Sequence, residues 1–153
     1  MDAGMYMPFI DAVYQVLPQF GFSNVKRGNL RLNDRLAVTM QVTALIGLSK
    51  DVRGNVAYCM TEATAKNIAS QMMGMPVEVF DEMARSAIAE LSNILTSSAA
   101  VSYEQNMNLF VDISPPALIY GDNVTVIGQV RTLTIEFFTD AGLIEVNVGL
   151  EAS

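Results

Sequence analysis

Between Ala3 and Phe20, apolar residues recur at Met5, Phe9, Ala12, Val13, Val16, Leu17 and Phe20, a stripe at helical spacing that Gly21 stops. Pro8 suits an early turn of that helix, and Pro18 predicts its end or a bend. The period then changes to that of strands. A short strand is predicted near residues 24–32, followed by the β-branched run "LAVTMQVTALIGLS" over 36–49. The turn "KDVRGN" and the run "NVAYCM" complete a hairpin or meander. Thr61 and Glu62 supply a capping hydroxyl and a first-turn acid for a second helix, which runs to about Met73 and stops at Gly74. Pro76 predicts an early position in a third helix, extended to about Glu104. After the polar stretch "YEQNMN", the double proline of "DISPPALIY" bars a helix and favours an extended edge.

The last third is β in character. "NVTVIGQVRTLTIEFF" and "LIEVNVGLEA", joined by "TDAG", predict a long terminal hairpin. Ile144, Val146, Val148 and Leu150 alternate with Glu145, Asn147, Gly149 and Glu151, which predicts one buried face and one wet face. The order helix, strands, two helices, strands lacks the regular βαβ alternation of a parallel sheet. It predicts a single α+β domain over all 153 residues, with helices packed on one face of a mainly antiparallel β-sheet.

Composition narrows the chemistry. The hydrophobic fraction of 51% and charged fraction of 16% describe a chain that folds. With a formal charge of −7 and nine scattered Lys and Arg, binding to nucleic acid or an anionic membrane through a general field is disfavoured. Histidine is absent and Cys59 is the only cysteine, which removes the common zinc sites, the Ser-His and Cys-His pairs and a disulfide framework within one chain. Cys59, inside an apolar strand-like run, reads as a buried thiol. The opening lacks a basic leader and no apolar run approaches the roughly 18 residues of a membrane span, so a cytoplasmic location is expected.

The third helix carries the chemistry that remains. With Ser86 at zero on a wheel of about 100° per residue, Phe80, Met83, Ala84, Ala87, Ile88, Leu91, Ile94 and Leu95 form a broad core-facing stripe. Ser86, Glu90, Asn93 and Ser97 form one strip outside it. Spacing alone leaves Glu90 and Asn93 open between two readings, solvated surface or a site, because periodicity defines a face and not a function. The methionines Met72, Met73 and Met75 suit core packing or a partner contact, with packing the simpler reading. The "SPP" segment suits an edge or turn device, and Asp112 beside it a solvated acid.

Three segments resemble one family in order. "SAIAELSNILTSSAA" resembles the signature helix of the CheC, CheX and FliY chemotaxis phosphatases, a Ser or Asp, three residues, Glu, two residues, Asn, which Ser86, Glu90 and Asn93 fit. "GNVAYCMTEATAKNIASQMMGM" resembles the strand, capped helix and Met-Gly ending before that signature in CheX proteins, and "VDISPPALIYG" the double-proline segment after it. No second Glu-x-x-Asn occurs, so the chain is similar to the single-site CheX-type members, which are commonly homodimers. The resemblance implies hydrolysis of the aspartyl phosphate of a CheY-type receiver. Glu90 would anchor the receiver's lysine and Asn93 would orient the attacking water, with Ser86 and Ser97 as flanking partner contacts. It also implies no cofactor on this chain, the Mg²⁺ belonging to the partner receiver. The competing expectation is a non-catalytic module of the same fold that binds a receiver or dimerises.

Overall fold

The computed structural model, which describes residues 3–152, begins with a 3-10 turn at Ala3–Tyr6 leading into helix α1, Met7–Val16, with Pro8 in its first turn. A second 3-10 turn, Leu17–Phe20, follows Pro18's constraint, and Gly21 closes it in the left-handed region at φ +90°. Helix α2, Glu62–Met73, starts where the sequence places it. The Thr61 hydroxyl accepts from the Thr64 amide at 3.2 Å, and Gly74 ends the helix at φ +69°.

Among the described residues nine strands follow the chain order β1 Lys26–Asn33, β2 Leu36–Val38, β3 Val42–Lys50, β4 Gly54–Met60, β5 Val111–Ile113, β6 Ala117–Tyr120, β7 Val126–Gly128, β8 Thr132–Thr139 and β9 Gly142–Leu150. Seven form one antiparallel sheet in the order β1-β8-β9-β4-β3-β5, with β6 also on β3. The other two, β2 and β7, pair with each other as a small antiparallel ribbon. The terminal hairpin pairs from Thr139 opposite Gly142 to Thr132 opposite Gly149, so it takes only the second half of the predicted run over 123–138, because Val126–Gly128 pairs with β2 instead.

Helix α3, Glu82–Met107, starts later and ends later than the periodicity predicts. Residues 76–81 are not helical, and Asp81 is the N-cap, its carboxylate accepting from the Ala84 amide at 2.9 Å. The cap followed by Glu82 in the first turn outweighs Pro76 as a start signal. Asn108 closes the far end in the left-handed conformation.

All three helices share one core with the alternate strand residues Ile46, Tyr58, Ile135, Phe137 and Val146. They therefore cover one face of the sheet. The opposite face departs from the expectation of a wet surface, because Asn147 and Gly149 are buried and Glu145 is half-buried. The β2–β7 ribbon folds back over that face, packing Leu36 and Val38 on Ala57 and Cys59. The polar groups enclosed there satisfy one another. The Thr134 hydroxyl donates to the Asn147 carboxamide oxygen at 2.6 Å, and Asn33 donates to Thr134 at 3.0 Å. Among the described residues no buried side-chain nitrogen or oxygen is left without a partner.

Candidate active site

Helix α3 is held to the rest of the fold at three points along its length. Near its start, Arg85 donates to the Phe80 carbonyl at 2.7 Å and lies 4.8 Å from the ring centroid of Tyr120 on β6, which meets Phe80 edge-on at 5.9 Å. At its middle, the hydroxyls of Thr96 and Tyr58 on β4 lie 2.9 Å apart in the core. Toward its end, the Tyr103 hydroxyl donates to the Met5 carbonyl, and its ring packs edge-on against Phe9.

The middle tether decides the helix's rotation. Apolar contacts are non-directional and tolerate a helix turning about its axis. A buried hydroxyl pair does not, since losing a partner costs about 1 to 3 kcal/mol. Ser92 and Thr96 also donate to the carbonyls of Ile88 and Ser92, each at 2.8 Å, so the stretch 88–96 is bonded on its inner side by side chains as well as backbone.

That stretch presents Glu90 and Asn93 on its outer side. Ser86, Glu90 and Asn93 are exposed, and Ser97, predicted on the same strip, is half-buried. The i, i+3 spacing puts the β-carbons of Glu90 and Asn93 about 5 to 6 Å apart. Neither side chain is used within the fold, as no hydrogen bond or ion pair among the described residues involves it. A carboxylate and a carboxamide are thus offered, unspent, on a rigid helix.

A shallow groove of about 360 Å³ runs beside the strip, lined by Met73, Glu82, Met83, Ser86, Ala87 and Glu90. Met83, expected in the core stripe, is 65% exposed instead. It sits in the helix's first turn at the edge of the apolar sector, where the loop before α3 leaves it uncovered. Phe80, also in that predicted stripe, is buried but lies before the helix begins. Met72 and Met73 pack partly against the core, as spacing suggests, while Met75 is 54% exposed. Sequence reasoning missed Asp81, which caps α3, and Arg85, which ties its start to Phe80 and Tyr120. The Asp81-Glu82 pair was the available signal.

The remaining candidates stay structural. The Ser114 hydroxyl accepts from the Gly47 amide at 2.7 Å, and its amide donates to the Gly47 carbonyl at 2.9 Å, so the "SPP" segment joins β5 to β6 along the edge of β3. Asp112 pairs with Lys50 at 3.3 Å on the open surface. Cys59 is fully buried, and its thiol is pushed up to about 12, chiefly by burial and further by Glu145, against the opposing hydrogen bonds from Thr43 and Asn147. At pH 8 the reactive thiolate is on the order of one in ten thousand. Native protein should therefore leave a chromogenic disulfide reagent uncleaved for minutes at that pH, and release one equivalent of thiol after unfolding in guanidinium. Immediate reaction of the native form would contradict the burial.

Among the described residues no three His, Cys, Asp or Glu side chains come together as a metal site, and no helix is long and apolar enough to cross a membrane. The α+β scaffold carries an acid and an amide on an open helical face, with Glu90 lining a shallow groove. The family Chemotaxis phosphatase CheX matches residues 42–138, and the chain belongs to it.

A curated relative, the CheY-P phosphatase CheX of Thermotoga maritima, is 28% identical over 143 residues, 92% of each chain. The fold superposes on CheX in the structure of the CheX-CheY-BeF3-Mg+2 complex from Borrelia burgdorferi at TM-score 0.82, with 27% identity, covering 97% of this chain and 98% of that one. A CheC-like superfamily protein from a Shewanella species matches at TM-score 0.87 and 22% identity, covering 99% of this chain and all of the other.

Proposed function

We propose that this chain is a phosphatase acting on the aspartyl phosphate of a CheY-type response-regulator receiver, with Glu90 as the docking acid and Asn93 as the residue that directs water. The observation that carries this reading is the pair's free, outward placement on a helix whose rotation is set from beneath. The Thermotoga relative named as a CheY-P phosphatase and the solved CheX-CheY complex support the choice of partner.

Glu90 forms a charge-assisted hydrogen bond with the lysine beside the receiver's phosphoaspartate. That contact locates Asn93 over the phosphoryl group. The Asn93 carboxamide oxygen accepts from the incoming water, and its amide nitrogen donates to a phosphoryl oxygen, without bringing a second negative charge to an already anionic centre. Water adds to phosphorus as the bond to the aspartate oxygen breaks, giving inorganic phosphate and the free carboxylate. The receiver's own Mg²⁺ neutralises charge on the phosphoryl oxygens, so this chain's part is positioning. Ser86 and Ser97, small and flanking, let the receiver approach the helix closely. The cytoplasm is the proposed site of action, and a homodimer the proposed assembly.

The test is to phosphorylate each receiver of the organism in turn and follow phosphate loss with and without the protein. At least one receiver should lose phosphate many times faster in its presence. Equal decay for all of them would favour a binding module over an enzyme.

A further inference from the structure

An exposed ion pair is screened by water and contributes little to affinity. Glu90 and a receiver lysine therefore need shelter from water before their contact can hold a complex. The surface beside Glu90 supplies apolar area for that shelter. The groove that contains Glu90 and Ser86 shares Met73 and Met83 with a second groove of about 350 Å³, which continues along the loop before α3 past Met75 and Val79. Met83, Met75 and Val79 are 65%, 54% and 69% exposed, so the fold itself leaves them uncovered. Methionine's flexible, polarizable side chain suits a surface that must mould to a partner.

We propose that this double groove is the apolar anchor for the same receiver, with Met83 at its centre. It rests on the functional reading above and adds a second contact region to it. Two observations select the receiver as occupant. The anchor is continuous with Glu90, so a domain seated on Glu90 meets Met83 about two helical turns away, about 10 Å along the axis. The rim is acidic, with Glu78 and Glu82 exposed beside the methionines in a chain of formal charge −7. Lys66 reaches only the Glu78 backbone carbonyl, at 3.4 Å, and leaves that carboxylate unpaired. The complementary face is apolar with basic side chains at its border, next to the lysine that Glu90 takes. Glu90 and Asn93 confer chemistry, and the methionine groove confers affinity.

Met83→Ser and Met75→Ser remove exposed side chains and leave the core intact, so both variants should fold. Their binding to the responsive receiver, activated with beryllofluoride and Mg²⁺, is measured by titration calorimetry, and kcat and KM are taken with the phosphorylated form. The expected result for Met83→Ser is about a tenfold rise in Kd and KM with kcat within twofold, and a smaller rise for Met75→Ser. Met83→Leu should restore affinity to within twofold. Unchanged Kd in both serine variants would overturn the proposal. So would a shift in sedimentation to a smaller species with receiver affinity retained, which would assign the groove to a second copy of this chain. If wild-type protein neither binds nor dephosphorylates any receiver, the functional reading fails first; if it does both and the serine variants match it, only the anchor fails.

Discussion

Replacing Asn93 with alanine should slow receiver dephosphorylation by about 10² to 10³-fold, as loss of one positioned polar group at a reacting centre typically does. In the proposed reaction the receiver already provides most of the charge compensation. With the receiver's proposed metal and lysine at the phosphoryl group, the missing contribution is a water held in line, and only a side chain already aimed can hold it without a further loss of entropy. Asn93 is exposed and makes no hydrogen bond or ion pair among the described residues, so the substitution should move thermal stability by no more than about 0.5 kcal/mol. Binding of the beryllofluoride-activated receiver should remain measurable, because Glu90 is untouched. Single-turnover phosphate release, calorimetric affinity and a melting curve on the same preparation decide the matter. A full rate in the variant would remove Asn93 from the mechanism.

The other large effect lies on the opposite side of the same helix. Leu91 is 3% exposed and belongs to the core shared by α1, α2, α3 and the sheet. Leu91→Ala should cost about 2 to 5 kcal/mol, the lost transfer energy plus the cavity left where neighbours relax incompletely. For a chain of this length that corresponds to a fall in Tm on the order of 10 °C by differential scanning calorimetry. Well below its transition the variant should still dephosphorylate the receiver, since the three tethers of α3 involve other residues. An unmoved Tm would mean that the apolar stripe of α3 is not packed as described. Together the two substitutions separate a face that reacts from a face that folds, two positions apart in the chain.

Much of this architecture was legible before any coordinates. Thr61 and Gly74 bound α2 as their cap chemistry requires, the double-proline segment lies at a sheet edge, and the alternation in the last strand puts Ile144, Val146, Val148 and Leu150 inside. The strip of Ser86, Glu90, Asn93 and Ser97 lies outside the core, as a 3.6-residue period demands. Errors fell where long-range packing overrides local pattern. The run over residues 36–49 divides because Leu36 and Val38 leave the main sheet to pair with β7. By the same move Asn147 and Gly149 lose the solvent that polarity promised them, and Met83 gains solvent that its apolar character did not.

The amino-acid order by itself determined the two periods, the caps and turns, and the outward pairing of an acid with an amide, because each depends on dihedral preferences and hydrophobic spacing over a few neighbours. The tertiary structure decided what lies over each surface and how far α3 is turned. Those depend on groups distant in the chain, Tyr58 against Thr96, Tyr120 against Arg85, the β2–β7 ribbon against the far sheet face, whose meeting is a property of packing in three dimensions and leaves no local period to read.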